Sequence, residues 1–291
     1  MKIRRRALKI AVMATKKGKV VLVGAGPGDP ELITVKAVRW LQKADVVLVD
    51  RLVSSQIIED YVSQYAEVIP VGKQCGRGAS TPQSYINELL VRHAEKGKLV
   101  VRLKGGDVSI FSNILDELQV LAENHIEYEI IPGITAASGI AAFAAIPLTA
   151  RDHSKGVRFL TYYKSENRPA EYWEELAKTD DTLVFYMSAE TASEIVQNLT
   201  VNQISKEKLL AVIEQGTTPN QQVTITNLYD FAGSTINRKL ASPSLLIIGR
   251  VVSLHKQYKW LNNGSSTEEY FERVVPQQLE YYSGKQKLLI A

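Results

Sequence analysis

The chain has 291 residues, of which 45% are hydrophobic, 23% charged and 8% aromatic. This composition excludes an intrinsically disordered protein, because such a protein has too little apolar surface to offset the entropy lost on folding. The single cysteine, Cys75, excludes an internal disulfide and a cysteine-rich zinc site, and the four scattered histidines show no ligand spacing. The net charge is +4, but eight of the 35 basic residues lie within residues 1–19, so the remainder carries a net −4 and has no basic footprint for nucleic acid.

Residues 1–18 form a basic leader without acidic residues. Lys9 interrupts the apolar run that a secretory signal requires, and the serines typical of a transit peptide are absent. We expect a disordered leader or a functional start at Met13, and therefore a cytoplasmic protein.

From residue 19, short runs of branched residues alternate with amphipathic stretches. Strands are predicted at Val20–Val23, Val46–Val49, Val68–Val71, Leu99–Leu103 and Glu127–Ile131. Helices are predicted at Thr34–Lys43, Ser55–Tyr61, Gln83–Lys96, Leu115–Asn124 and Thr135–Ala145. This alternation predicts an α/β domain over residues 19–150 with a largely parallel sheet.

A membrane span over the uncharged stretch 130–150 is an alternative to a buried helix. Pro132 and Pro147 bracket this stretch, and small residues dominate its middle. We therefore predict a closely packed helix and no membrane association.

A second set of elements follows over residues 151–255. Its predicted strands and helices are Val157–Tyr162, Ala170–Lys178, Thr182–Met187, Ala189–Leu199, Leu209–Glu214, Gln222–Thr226, Leu228–Ala232 and Ser244–Val252. Strands crowd towards the end with short connections, which favours a mixed sheet. Residues 256–291 are predicted to be a separate C-terminal tail.

The first strand is followed directly by a turn that runs from Gly24 to Asp29. A dinucleotide-binding turn is one interpretation, because Asp50 ends the second strand where a ribose-binding acid would lie. That motif continues straight into a helix, whereas Pro27 removes a donor from this turn and Pro30 delays the helix. Contact with a different ligand and a tight turn without a ligand are the alternatives.

Two further loops, Arg102–Asp107 and Pro132–Ala136, follow the fourth and fifth strands in the same way. Because ligands in open α/β sheets bind beyond the carboxyl ends of the strands, we expect the three loops to converge on one crevice. The charged side chains near these strand ends are Asp50, Arg51, Lys73 and Arg102. Surface ion pairing is the alternative to a role for them in the site.

A specific set of motifs extends over residues 19–255 and includes VLVGAGPGDPELIT (21–34), DVVLVDRLVS (45–54), VRLKGGD (101–107), IPGITAAS (131–138) and EQGTTP (214–219). Together they closely resemble the uroporphyrinogen-III C-methyltransferases of the tetrapyrrole methylase family. The resemblance implies a two-domain α/β fold with a mostly parallel N-terminal sheet, a mixed C-terminal sheet and a cofactor cleft between them. It also implies a homodimer.

By this resemblance the methyl donor is S-adenosyl-L-methionine and the acceptor is uroporphyrinogen III. Two sequential transfers give precorrin-2 by way of precorrin-1, which feeds the sirohaem or the cobalamin pathway. Because the extra dehydrogenase and chelatase module of fused sirohaem synthases is absent from this sequence, we expect the reaction to stop at precorrin-2.

The resemblance also implies the site residues. Asp50 and Lys73 match the family's proposed active-site pair, and Arg102 matches a residue important to the substrate. The positions that match the family's cofactor contacts are Pro27, Gly105, Gly106, Asp107, Ile110, Thr135, Ala136, Met187 and Gly216. No metal is implied. A sulfonium methyl is already activated, so the chemistry requires alignment and a carboxylate such as Asp50 to stabilise positive charge on the acceptor.

The loop after Asp107 departs from the family pattern. Where the family usually has Pro-Phe-Ile-Phe-Gly-Arg-Gly-Gly-Glu-Glu, this chain has VSIFSNILDE (108–117). We interpret the change as variation that retains the reaction, unless bulky groups from Ser112 to Leu115 fill the crevice. The alternatives are a methylase of the same fold with another acceptor, and a non-catalytic protein that binds S-adenosylhomocysteine or a tetrapyrrole.

Overall fold

A computed structural model describes residues 17–72, 81–163, 168–234, 238, 240–266 and 268–271. Its strands form two five-stranded sheets, one in the N-terminal half (residues 17–150) and one in the C-terminal half (residues 151–271). The predicted α/β class with two sheets is confirmed. The predicted leader up to residue 16 and the tail from residue 272 lie outside the described residues, and the division of the chain into domains at about residue 150 stays a prediction.

In the N-terminal half, strands and helices alternate as predicted. The strands are β1 (Lys19–Gly24), β2 (Val46–Val49), β3 (Glu67–Pro70), β4 (Leu99–Lys104) and β5 (Glu127–Ile131). The helices are α1 (Val35–Leu41), α2 (Ser55–Tyr61), α3 (Gln83–Glu95), α4 (Ile114–Glu123) and α5 (Ala136–Phe143). Every neighbouring pair of strands in this sheet is parallel. Parallel strands require crossover connections, and the helices provide them.

Helices cover both faces of this sheet, because successive side chains of a strand point to opposite faces. Val20 and Leu22 of β1 belong to a core cluster with residues of α3 and α4, whereas Val21 and Val23 belong to a second cluster with residues of α1 and α2. All four side chains are fully buried. A strand buried on both faces has a continuous apolar sequence, and for this reason β1 could be predicted from its sequence.

The C-terminal half contains a mixed sheet. Its strands are β6 (Val157–Thr161), β7 (Thr182–Tyr186), β8 (Leu209–Glu214), β9 (Gln222–Asn227) and β10 (Ser244–Gly249). They lie in the order β6-β7-β10-β8-β9, in which β6 and β7 are parallel and the other pairs antiparallel. Its helices are α6 (Ala170–Lys178), α7 (Ala192–Val201) and α8 (His255–Tyr258).

The predicted strand Ser244–Val252 is wrong in its last three residues. β10 ends at Gly249, and a 3₁₀ helix follows over Arg250–Leu254. Val251 and Val252 are nevertheless fully buried. A short apolar run fits a buried strand and a buried helical turn equally well, so the sequence pattern could not separate the two.

The strand order β3-β2-β4-β1-β5 brings the three glycine-containing loops together. Because β1 lies between β4 and β5, the loops that follow these strands leave the sheet side by side. Gly26 N donates to Gly106 O (3.1 Å) and Gly106 N donates to Gly26 O (2.7 Å). A Cβ on Gly133 would lie 2.3 Å from Gly106 O and 2.8 Å from the carbonyl carbon of Gly24. The expected convergence of the three loops is confirmed.

Helix α5 connects the two halves. Ala137, Ile140 and Ala141 pack in one apolar cluster with side chains of the C-terminal sheet, including Val184 and Ile213. Small residues on α5 permit this close approach, as predicted for the stretch 130–150. Among the described residues, no helix is long and apolar enough to cross a membrane.

We expect Gly133→Ala to destabilise the fold by about 1–3 kcal/mol, because its methyl group would overlap backbone atoms that cannot move away. The control is Gly233→Ala, where a Cβ would meet no atom within 4 Å. The free energy of unfolding should be measured by urea denaturation. Equal stability of the two variants would contradict the close contact of the loops.

Candidate functional site

Asp107 joins two of the converging loops. Its Oδ2 accepts from Gly133 N (2.8 Å) and its Oδ1 accepts from Ser109 N (2.8 Å). The side chain is buried. The carboxylate therefore fixes the backbone after β4 against the backbone after β5, in addition to any contact it makes with a ligand.

The loop after β1 contacts the C-terminal half at residues 216–218. Asp29 N donates to Thr217 Oγ1 (3.2 Å). A Cβ on Gly28 would lie 2.9 Å from Thr218 Cγ2. This loop leads into a single 3₁₀ turn over Pro30–Leu32, and the first α-helix, α1, begins only at Val35. The dinucleotide-binding motif runs straight into an α-helix, so this arrangement argues against that interpretation.

Pro27 and Gly216 both lie against α5. A Cβ on Gly139 of α5 would lie 2.6 Å from Pro27 Cγ, and a Cβ on Gly216 would lie 2.5 Å from Ile140 Cγ1. Two of the predicted cofactor contacts, one from each half, therefore approach the same helix.

The start of α5 is held by Tyr186, the last residue of β7. Its hydroxyl accepts from Ala137 N (2.9 Å) and lies 2.7 Å from Oγ1 of Thr135, the N-cap residue. Burial raises the pKa of Tyr186, and the charge of Asp107 adds to the rise. The hydroxyl thus stays protonated at neutral pH and can donate and accept at the same time.

Three predicted cofactor contacts lie near Tyr186. Ala136 is the first residue of α5. Met187 follows Tyr186 with φ of +51°, and half of its side chain is exposed. Ile110 packs against the apolar cluster that α5 shares with the C-terminal sheet.

The altered loop 108–117 also reaches this region. The Phe111 ring lies 5.0 Å from the Tyr186 ring, between centroids. Ile114 and Leu115 are the two bulky apolar replacements of family glycines in this loop. Ile114 packs against the core cluster that contains residues of α3 and α4, whereas Leu115 is 72% exposed. Its side chain is therefore not packed into the protein as a plug.

A network of four charged side chains extends inward from the carboxyl edge of the parallel N-terminal sheet. β4 lies beside β2, so Arg102 of β4 is next to Asp50, which follows β2. Arg102 Nη2 donates to Asp50 Oδ1 (2.5 Å) and Arg102 Nε donates to Glu117 Oε1 (2.9 Å). Lys104 Nζ donates to Glu117 Oε2 (2.8 Å).

This network of charged side chains is buried. The surface ion pairing considered for Arg102 is therefore wrong. Arg102 is 1% and Glu117 is 0% exposed, whereas a quarter of the Asp50 side chain is exposed. Burial alone would lower the pKa of Arg102, but Asp50 and Glu117 outweigh it and raise the pKa. Burial lowers the pKa of Lys104, and the nearby charge of Arg102 lowers it further. The charge of Glu117 and its hydrogen bond to Lys104 oppose both effects.

The remaining predicted residues make other contacts or lie outside the described residues. Gly105 approaches the loop after Asp50, since a Cβ on Gly105 would lie 2.7 Å from Leu52 O. Arg51 Nη2 donates to Ser242 Oγ (3.3 Å), a contact between the two halves. Lys73 lies outside the described residues. Within the described ranges, no group of three or more His, Cys, Asp or Glu side chains could hold a metal ion.

Sequence reasoning missed two residues that organise this region, Tyr186 and Glu117. Tyr186 ends an apolar strand and looks like an ordinary core residue. Glu117 did carry a signal, because it lies four positions before Leu121 on the buried face of α4. An acidic residue on that face requires a buried partner.

The chain matches a family model described as Tetrapyrrole (Corrin/Porphyrin) Methylases over residues 19–232. It is 46% identical over 252 residues to a siroheme synthase of Acinetobacter baylyi. The aligned residues cover 87% of this chain and 55% of that protein. The chain thus spans about half the length of the curated relatives it matches.

Solved structures with this fold include a uroporphyrin-III-C-methyltransferase from Thermus thermophilus, with 32% identity and a TM-score of 0.69 over 84% of this chain and 98% of that one. Another structure of the Thermus thermophilus enzyme is complexed with S-adenyl homocysteine. It has 32% identity and a TM-score of 0.68 over 81% of this chain and 100% of that one.

We expect Tyr186→Phe to lower the free energy of unfolding by about 1–3 kcal/mol, because the buried amide of Ala137 and hydroxyl of Thr135 would lose their partner. Tyr65→Phe is the control, since Tyr65 is 87% exposed. Both variants should be compared by urea denaturation. A Tyr186→Phe protein as stable as the control would show that this contact contributes nothing to stability.

Proposed function

The chain belongs to the tetrapyrrole methylase family, and from this membership we propose that it transfers methyl groups from S-adenosyl-L-methionine to ring carbons of uroporphyrinogen III. The observation that carries the proposal is the arrangement around α5 and β2. Loops from both halves approach α5, and Asp50 lies at the carboxyl edge of the parallel sheet. The sequence and structural similarity to uroporphyrin-III-C-methyltransferases supports the choice of acceptor.

The residues present fit an adenosyl group. The nearest described neighbour of a Cβ placed on Gly106 is Ala136 N, 3.9 Å away, so a ligand can approach the backbone closely on this side. The half-exposed thioether of Met187 and the exposed ring of Phe111 offer apolar surface nearby. Gly105, Gly106, Asp107, Ile110, Thr135, Ala136, Met187, Pro27 and Gly216 are the positions proposed to hold it.

The bound co-substrate supplies a methyl group already activated by its sulfonium. The protein must therefore hold an electron-rich ring carbon in line with that methyl group. A carbon–carbon bond forms as the carbon–sulfur bond breaks, positive charge passes to the macrocycle, and the ring then loses a proton. Asp50 is proposed to stabilise that charge or to direct the loss of the proton. Two such transfers give precorrin-2 by way of precorrin-1.

The role proposed for Arg102 changes with its burial. Its guanidinium donates to Asp50, to Glu117 and to the carbonyl oxygens of Leu48 (3.3 Å) and Leu103 (3.2 Å). We therefore assign Arg102 to positioning Asp50 rather than to binding a substrate carboxylate. Lys73 keeps the proposed role of binding the carboxylates of uroporphyrinogen III.

We further propose that the protein acts as a homodimer in the cytoplasm and that its product enters sirohaem synthesis. The names of the curated relatives support the sirohaem pathway. The similarity to a cobalt precorrin-4 methyltransferase, at 27% identity, leaves a contribution to cobalamin synthesis as the second candidate. Light scattering of the purified chain tests the dimer.

The proposed reaction is tested by incubating the purified protein with labelled S-adenosyl-L-methionine and uroporphyrinogen III without oxygen. We expect two methyl groups in each tetrapyrrole, detected by mass spectrometry. Because Asp50 would face the developing charge, Asp50→Asn should lower kcat about a hundredfold and change the Kd of S-adenosylhomocysteine less than about threefold. Asp60→Asn, on the exposed side of α2, is the control.

Binding of S-adenosylhomocysteine without any transfer would favour a non-catalytic binding protein instead. Transfer to another tetrapyrrole only would favour a methylase with a different acceptor. Unchanged kcat in Asp50→Asn would remove Asp50 from the mechanism.

A further inference from the structure

Glu117 is a fully buried carboxylate for which the proposed mechanism so far has no use. It lies on α4, far along the chain from Asp50, and both of its oxygens accept hydrogen bonds from cationic side chains of β4. We propose that Glu117 is a positioning residue that orients Arg102 and balances its charge, so that Asp50 is held in place with its negative charge available. This inference rests on the proposed function.

The orientation argument follows from the geometry of the guanidinium group. Arg102 Nε donates to Glu117, Nη1 donates to two backbone carbonyl oxygens, and Nη2 donates to Asp50. A planar group bound along three edges has one orientation. Without the Glu117 carboxylate, the Nε edge of this buried group would lose its charged partner, and the orientation of Nη2 towards Asp50 would be less constrained.

The charge argument follows from the count of buried groups. Arg102 and Lys104 are cations, and Asp50 and Glu117 are anions, so the four side chains are neutral together. If Glu117 loses its charge, Asp50 faces two cations in a region of low dielectric. Its negative charge is then neutralised by the protein and is less available to stabilise positive charge on a substrate.

A purely structural role makes a different prediction. In that case the ion pairs would only fix α4 against β4, and Glu117 could be replaced at a cost in stability without acting through Asp50. The two roles are separated by asking whether the effect of Glu117 on turnover requires the Asp50 carboxylate.

The experiment is a double-mutant cycle with Glu117→Gln, Asp50→Asn and both together, in the full chain. We expect Glu117→Gln to lower kcat about tenfold, less than the loss of a group that touches the transition state, and to leave the Kd of S-adenosylhomocysteine within about twofold. In the Asp50→Asn background the same change should lower kcat less than about twofold. Glu123→Gln is the control, because Glu123 lies on the same helix and its carboxylate bonds Gln119 at the surface.

Two further measurements keep the inference testable if Glu117→Gln folds poorly or if the wild-type chain transfers no methyl group. Lys104→Met combined with Glu117→Gln restores the charge balance and should bring kcat back to within about threefold of wild type. The NMR signal of the Arg102 Nε–H group should exchange slowly with water in the wild type and rapidly in Glu117→Gln, independently of any activity.

Equal losses of kcat in the wild-type and Asp50→Asn backgrounds would overturn the inference, and so would unchanged kcat in Glu117→Gln. A charge-balanced double variant as slow as Glu117→Gln would refute the charge argument. An inactive wild type refutes the proposed function, whereas unchanged exchange of the Arg102 Nε–H in Glu117→Gln refutes the positioning role.

Discussion

The close contact of three backbones at the carboxyl edge of the parallel sheet is the constraint on which the rest of the structure depends. The loops that contain Gly24, Gly106 and Gly133 approach so closely that a Cβ added to Gly24 or to Gly133 would overlap backbone atoms of the neighbouring loops. With no side chains between them, the loops align their peptide groups, and Asp107 can bond across to Gly133. This arrangement brings the start of α5 next to the loop after β4, and thereby determines which residues any ligand at this edge would meet.

Helix α5 makes the two halves of the molecule interdependent at the site. It follows the parallel sheet in the chain, yet its apolar face packs against the C-terminal sheet, and Tyr186 from that sheet binds its first turn. A ligand at the start of α5 would therefore contact both halves at once. The hydrogen bonds of Tyr186 to Thr135 and Ala137 therefore contribute to the contact between the halves and also fix the start of α5.

The buried network of charges beside Asp50 is not explained by stability alone. Burying ions requires removal of water from each of them, and apolar side chains of similar volume often stabilise a fold as well or better. Here two of the four charged groups, Arg102 and Glu117, are completely enclosed while Asp50 remains partly exposed. The network thus holds one partly exposed carboxylate at the edge of the sheet.

Local pattern was sufficient to predict the succession of strands and helices, because runs such as Val20–Val23 and the glycine and proline turns after them specify elements without reference to distant residues. It could not separate strand from helical turn at Val251, where both bury the same side chain. The position of Glu117 four residues before Leu121 indicates the buried face of α4, but local pattern could not identify the cations that pair with it, because they lie on a different element, β4. The amino-acid sequence by itself determined which residue types stand at the ends of the strands. Only the tertiary structure decided that β4 lies between β1 and β2, and so which of those residues touch, because contact between distant residues depends on strand order and packing rather than on local pattern.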